Sequence, residues 1–91
     1  MRAYILIETQ VGTTCDVVAK LCGMEGVVSA DATVGSYGAI VVVERPELEQ
    51  IGELAYSILR VPGALRTVTC CVVAISGGEN ARTPAKSAGQ R

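Results

Sequence analysis

The chain has 91 residues, enough for one domain and near the lower size at which a single core is stable. Hydrophobic residues make up 49% of it and aromatics only 3%, so the core must be aliphatic. It also has more apolar side chains than so small a body can hide, which points to oligomerisation. The absence of histidine speaks against a zinc site or a histidine base, and the net charge of −1 against an electropositive nucleic-acid surface.

RAYILIET (2–9) is rich in strand formers and reads as the first strand. The apolar run before Glu8 is too short for a signal peptide, and no 18-residue apolar stretch follows, so a cytoplasmic, membrane-free protein with reduced cysteines is expected. Gly12 and Thr13 supply turn and N-cap chemistry for a helix over TCDVVAKLCG, with Asp16 at its positive end. Cys15, Val18, Ala19 and Cys22 follow i, i+3, i+4, i+7 and are the expected buried stripe, with Gly23 ending the helix. Cys15 and Cys22 are separated by about 10.5 Å of helix, beyond disulfide reach. All four cysteines read as small buried apolar residues, and no metal or other cofactor is expected.

GVVSADATVG (26–35) alternates, with Val28, Ala30, Ala32 and Val34 on one face and Ser29, Asp31 and Thr33 on the other, the pattern of a half-wetted strand. The tight connection Gly35-Ser36-Tyr37-Gly38 leads into AIVVVE (39–44), apolar throughout and so central in the sheet. Pro46 suits the first position of a second helix, whose expected stripe is Leu48, Ile51, Ala55, Ile58 and Leu59, and Pro62-Gly63 stops it. A last strand over 64–75 follows. Residues 76–91 (SGGENARTPAKSAGQR) have the composition of a disordered polar tail, its bases Arg82, Lys86 and Arg91 a solvated end.

The order β-α-β-β-α-β defines an α+β, ferredoxin-like fold over residues 1–75: a four-stranded antiparallel sheet with both helices on one face. The last strand then poses a question. In TVTCCVVAI (67–75), one set of side chains is Thr67, Thr69, Cys71, Val73 and Ile75, and the other is Val68, Cys70, Val72 and Ala74. Helices cover one set only. The tail is too polar and small to cover the other, so a dimer formed sheet to sheet is expected.

GVVSADATVGSYGAIVVVE followed by PELEQIGELAYSILRVPGALRTVTCCVV resembles the effector-binding (RAM) domain of the Lrp/AsnC (feast/famine) transcription regulators. The family's pattern consists of a G-V-V-x-A strand, a V-x-G-x-Y-D turn, a helix ending in P-G and a strand with T-x-T near its start. The likeness runs over residues 2–75 and starts at the first strand, so it implies a stand-alone RAM module without the family's DNA-binding domain and without direct nucleic-acid binding. It further implies homodimers assembling into higher rings, commonly octamers, and small amino-acid effectors bound between dimers. The matching segments make Gly35, Ser36, Tyr37 and Gly38, with Thr67 and Thr69, the candidate amino-acid-binding residues. Glycines let a backbone approach a ligand with its N–H groups free, and the two threonine hydroxyls share a sheet face. Tyr37 is expected to pack its ring and hydrogen-bond its hydroxyl. The family's turn usually ends in Asp where this chain has Gly38, which leaves Asp31 or Glu44 to supply the charge, a different ligand, or no ligand.

Three functions are compatible with these residues. The first is a non-catalytic amino-acid-sensing module. The second is a ligand-free assembly module that co-oligomerises with full-length regulators of the family. The third, an enzyme, is disfavoured: Glu49 and Glu53 read as a solvated helix face, and Cys15 has no base beside it.

Overall fold

In RAYILIET the odd-numbered Ala3, Ile5 and Ile7 are fully buried while Arg2, Tyr4, Leu6 and Glu8 face the other way, so a single alternating strand sets both faces of the sheet. The computed structural model describes residues 1–74. The expected polar tail, and Ile75 of the expected last strand, lie outside the described residues. The elements are β1 (Arg2–Thr9), α1 (Thr14–Cys22), β2 (Val27–Ala32), β3 (Ala39–Glu44), α2 (Leu48–Leu59) and β4 (Ala64–Cys71). The sheet order is β2-β3-β1-β4 with every neighbouring pair antiparallel, the ferredoxin-like α+β arrangement expected from the element order. α1 packs over β2 and β3, and α2 over β4.

Between helices and sheet the core is aliphatic. Ala3, Ile5 and Ile7 meet Ala39, Val41 and Val43 of the paired β3, under Val17 and Leu21 of α1 and Ile51, Leu54 and Ile58 of α2. Each large side chain fully buried there contributes about 1.5–3 kcal/mol.

α1 turns a different stripe inward from the one read in the sequence, while α2 keeps Ile51 and Ile58 of its expected stripe buried, with Ala55 packed against the core. In α1 the buried residues are Val17 and Leu21, with Val18 half-buried, whereas Cys15, Ala19 and Cys22 are exposed. Thr14, Val17, Val18 and Leu21 have the same i, i+3, i+4, i+7 spacing, and Val and Leu remove more apolar surface from water than Cys and Ala. The cysteines are therefore not core residues: Cys15, Cys22 and Cys70 are exposed, and Cys71 is half-buried. In α2, Leu54 is buried, while Leu48 and Leu59 are exposed.

The element ends also differ in detail. β2 stops at Ala32, opposite Ala39 where β3 begins, so Val34 has no partner and is wholly exposed. β4 stops at Cys71 because β1 has run out: the last contact is the Val72 N–H donating to the Arg2 carbonyl at 2.9 Å. Pro46 precedes the N-cap of α2, which is Glu47. The Glu47 N–H donates to Gln50 Oε1 at 3.0 Å, the backward half of a capping box. Replacing Gln50 by Ala should cost about 0.5–1.5 kcal/mol, the usual net worth of one hydrogen bond, read as a lower urea midpoint at unchanged slope.

The register also divides β4. Thr67, Thr69 and Cys71 lie opposite Ile7, Ile5 and Ala3 on the helix-covered face, and Val68 and Cys70 lie opposite Leu6 and Tyr4 on the open one. On that open face Tyr4, Val68 and Val72 are 36–44% exposed, beside the half-buried Leu6, Ile40 and Val42. Two cross-strand ion pairs bracket this apolar panel. At one end of β1, Arg2 Nε donates to Glu44 Oε2 at 2.8 Å; at the other, Arg66 Nε donates to Glu8 Oε1 at 3.2 Å. Both are solvent-exposed and screened, so they mark the rim and the register more than they stabilise the fold.

Candidate functional site

The candidate residues lie toward one end of the sheet, where β1 ends and β3 and β4 begin. Three connections meet there. The Gly38 N–H donates to the Ile7 carbonyl at 2.9 Å, and the Gln10 N–H donates to the Gly63 carbonyl at 2.8 Å. These bonds tie the β2–β3 loop and the α2–β4 loop to the end of β1.

The β2–β3 loop is closed by Thr33. Its N–H donates to the Gly38 carbonyl at 2.8 Å and its hydroxyl to the Tyr37 carbonyl at 2.6 Å. Gly35 adopts a φ of +133°, which a side chain would strain. The N–H groups of Gly35, Ser36 and Tyr37 donate to no acceptor among the described residues, and Gly35 and Ser36 are exposed. Unpaired backbone N–H groups are donors that a carboxylate can accept from. Tyr37 is half-buried, but its hydroxyl makes no hydrogen bond among the described residues, so the expected hydroxyl contact is not present.

Gly38 has a different role from Gly35. A Cβ placed on it would lie 2.0 Å from Thr9 Oγ1 and 3.2 Å from Thr14 Oγ1, and those two hydroxyls are hydrogen-bonded to each other at 2.8 Å. The volume that an aspartate would need is thus filled by Thr9 from the end of β1. Of the two acids considered from sequence, only Asp31 is on the strand end next to this turn. Asp31 pairs with Ile40 and shares the open face with it, and Glu44 is at the far end of β3, about 20 Å away at strand rise, bound to Arg2.

Thr67 and Thr69 do share a face, the one covered by helices, with Thr67 half-buried and Thr69 exposed on the edge strand. Gly38 and Thr67 flank β1 on opposite sides. That separates them by two strand spacings, about 10 Å, so one chain does not bring turn and hydroxyls into contact.

Sequence reasoning missed a neighbouring groove of about 550 Å³, lined by Gln10, Thr13, Asp16, Lys20, Pro62 and Gly63. Gly63, at φ +99°, lies so close to Thr13 and Val17 that a Cβ would stand 2.6 Å from Thr13 Oγ1. In the sequence Pro62-Gly63 is only a helix stop. Its second role, letting the α2–β4 loop approach α1, needs Thr13, which is 50 positions earlier.

The fold is that of a small ferredoxin-like α+β domain, and the comparisons with solved structures place it further. FFRP-DM1 is 30% identical over 79% of this chain and 97% of its own, with a TM-score of 0.75. The hypothetical protein PHS023 from Pyrococcus horikoshii is 28% identical over 86% and 95% of the two chains, with a TM-score of 0.74. AsnC from E. coli, 20% identical, shares the fold at a TM-score of 0.74, and this chain spans 51% of its length. No protein-family model and no curated protein matches the sequence. The chain belongs to the Lrp/AsnC (feast/famine) regulator family, in which it corresponds to the RAM-like effector-binding domain.

Proposed function

We propose that the chain is a non-catalytic, amino-acid-responsive module that acts in the cytoplasm as a sheet-to-sheet homodimer and as larger rings built from it. The observation that carries this reading is the exposed turn Gly35-Ser36-Tyr37, whose unpaired N–H groups sit at the same end of the sheet as the β4 hydroxyls, in a chain with family membership. Since turn and hydroxyls are about 10 Å apart across β1, a complete effector site takes the turn from one copy and Thr67 and Thr69 from another. That accords with effectors held between dimers. The apolar panel of β1, β3 and β4 supplies the dimer surface. Among the described residues no helix is long and apolar enough to cross a membrane.

A thermal-shift and calorimetric screen of the twenty amino acids tests the reading. Small amino acids should raise the melting temperature at millimolar concentration, since ligand binding to the folded state stabilises it. Replacing Thr67 and Thr69 together by Ala should weaken binding about tenfold, the loss of one or two hydrogen bonds. Silence across the whole screen at millimolar ligand would overturn the sensor.

The assembly reading is favoured by Gly38. With Thr9 in the place of a carboxylate, the turn has no acidic group to pair with a ligand ammonium. A module that co-oligomerises with full-length regulators without a ligand would be recovered with them in a pull-down and would show no amino-acid binding.

A further inference from the structure

The outer side of α2 carries two features that disfavour a helix, and no contact among the described residues offsets them. Gly52 sits mid-helix and exposed, with nothing within 4 Å of where a Cβ would lie. Any ordinary side chain would fit there, and most would favour the helix more than glycine does. Glu49 and Glu53 follow at i and i+4, a like-charged pair on one face. Among the described residues Glu8, Glu25 and Glu44 each have a basic partner, whereas Glu49 and Glu53 have none. Arg60, the C-cap, is seven residues past Glu53, about 10 Å along the axis. The exposed Tyr56, one turn beyond Gly52, completes a face opposite the buried Ile51, Leu54 and Ile58.

Beyond the described residues the sequence changes sign. Residues 1–74 carry eight acids and five bases, and residues 75–91 carry three bases and one acid. The chain also leaves β4 beside α2. The Val72 N–H donates to the Arg2 carbonyl, and the N–H of Arg45, three residues before α2, donates to the Met1 carbonyl. The end of β4 and the start of α2 therefore share one end of the sheet, and α2 is the helix packed over β4.

Length and composition suit the contact. Arg82 is eight residues past Ala74, a reach of about 26 Å, and α2 is about 18 Å long. Ala81, Thr83, Ala85 and Ser87 beside the bases are small, which lets a backbone come close to a helix at a glycine. Attachment to the same chain keeps the segment at a high effective concentration, so a few exposed ion pairs can hold it. We propose that residues 76–91 dock on this outer face of α2 of the same chain, with Arg82 and Lys86 against Glu49 and Glu53. The backbone then lies over Gly52, and the Tyr56 ring offers its face to a cation. The open face of the sheet is on the other side of the molecule, so docking leaves the dimer surface uncovered.

Trypsin cleavage of the full chain after Arg82 and Lys86 tests this, because a protease cuts the undocked form. At low salt the Glu49→Gln/Glu53→Gln variant should be cut at least about threefold faster than the wild type. In about 0.5 M NaCl the two rates should converge, since exposed ion pairs are screened. Gly52→Gln keeps the charge and favours the helix, so it should speed cleavage without lowering the urea midpoint, which separates a lost seat from a lost fold. In ¹⁵N spectra of the full chain, Arg82→Ala/Lys86→Ala should shift the amide signals of Gly52, Glu53 and Tyr56. Equal cleavage of wild type and Glu49→Gln/Glu53→Gln at low salt would overturn the proposal, as would Gly52→Gln cut like the wild type. Signals of α2 that ignore Arg82→Ala/Lys86→Ala but still respond to salt would overturn it too, and would give the face to a separate cationic partner.

Discussion

Val42→Asp should convert the protein from a dimer or larger assembly to a 9.4 kDa single chain in light scattering at micromolar concentration. Val42 sits on β3 between Tyr4 of β1 and Ser29 of β2, in the interior of the open face. A sheet-to-sheet dimer buries that position, and the substitution places a carboxylate from each copy into the seam with no cation opposite. The nearest cations on the panel, Arg2 and Arg66, already pair with Glu44 and Glu8 at the rim. An unpaired buried charge costs several kcal/mol, so dissociation should strengthen by at least about a hundredfold. The same charge introduced at Tyr56, 69% exposed on the outer side of α2, should leave the mass unchanged. A Val42→Asp protein that still runs as the wild type, or a wild type that is itself a single chain, would remove the basis for a composite effector site.

The open face was legible in the sequence because it needs only alternation. RAYILIET, AIVVVE and TVTCCVV each carry aliphatic residues at both parities, and β1 and β3 then bury one parity completely under the helices. The topology was legible for the same reason, with Pro62-Gly63 and the short β2–β3 connection as punctuation. The phase of α1 was not. Cys15-Val18-Ala19-Cys22 and Thr14-Val17-Val18-Leu21 satisfy the same spacing, and the choice between them depends on which stripe offers more apolar area to the sheet below. Strand length was set by the partner: β4 ends where β1 supplies its last backbone carbonyl, a fact absent from the β4 sequence itself.

At the site, the turn could be read from its glycines, but what each glycine does could not. Gly35 serves its own φ, a local property. Gly38 serves Thr9, which arrives from 29 positions earlier, and Gly26 serves Arg45, 19 positions later. Such close approaches exist only once the sheet is assembled. Arg45 itself looked like an ordinary charge at a strand end, because only the fold places it beside Glu25 and over Leu54.

Gly38→Asp, which restores the family's usual residue, should destabilise the chain by about 1–3 kcal/mol, the common cost of forcing atoms into a filled space. A side chain there meets Thr9 Oγ1 at 2.0 Å, far inside contact distance, and Thr9 is a short β-branched residue on a paired strand with little room to withdraw. Thr9→Ala alone removes the hydrogen bond to Thr14 and should cost about 0.5–1.5 kcal/mol. The two changes should not add. With the hydroxyl gone, the Asp Cβ is left with Thr9 Cβ at 3.2 Å, a tight but tolerable neighbour, so the double variant should be more stable than the sum by about 1 kcal/mol. Urea unfolding of the four proteins measures this coupling, and additivity within error would show that Thr9 does not hold the space. The double variant also separates the two functional readings. A carboxylate at this position gives the turn the charge that pairs with an ammonium. If the double variant binds small amino acids at the turn and the wild type does not, the natural chain has given up ligand pairing there to become an assembly module. If both bind, the neutral turn with its free N–H groups is already sufficient, and Gly38 records a packing choice made at the end of β1.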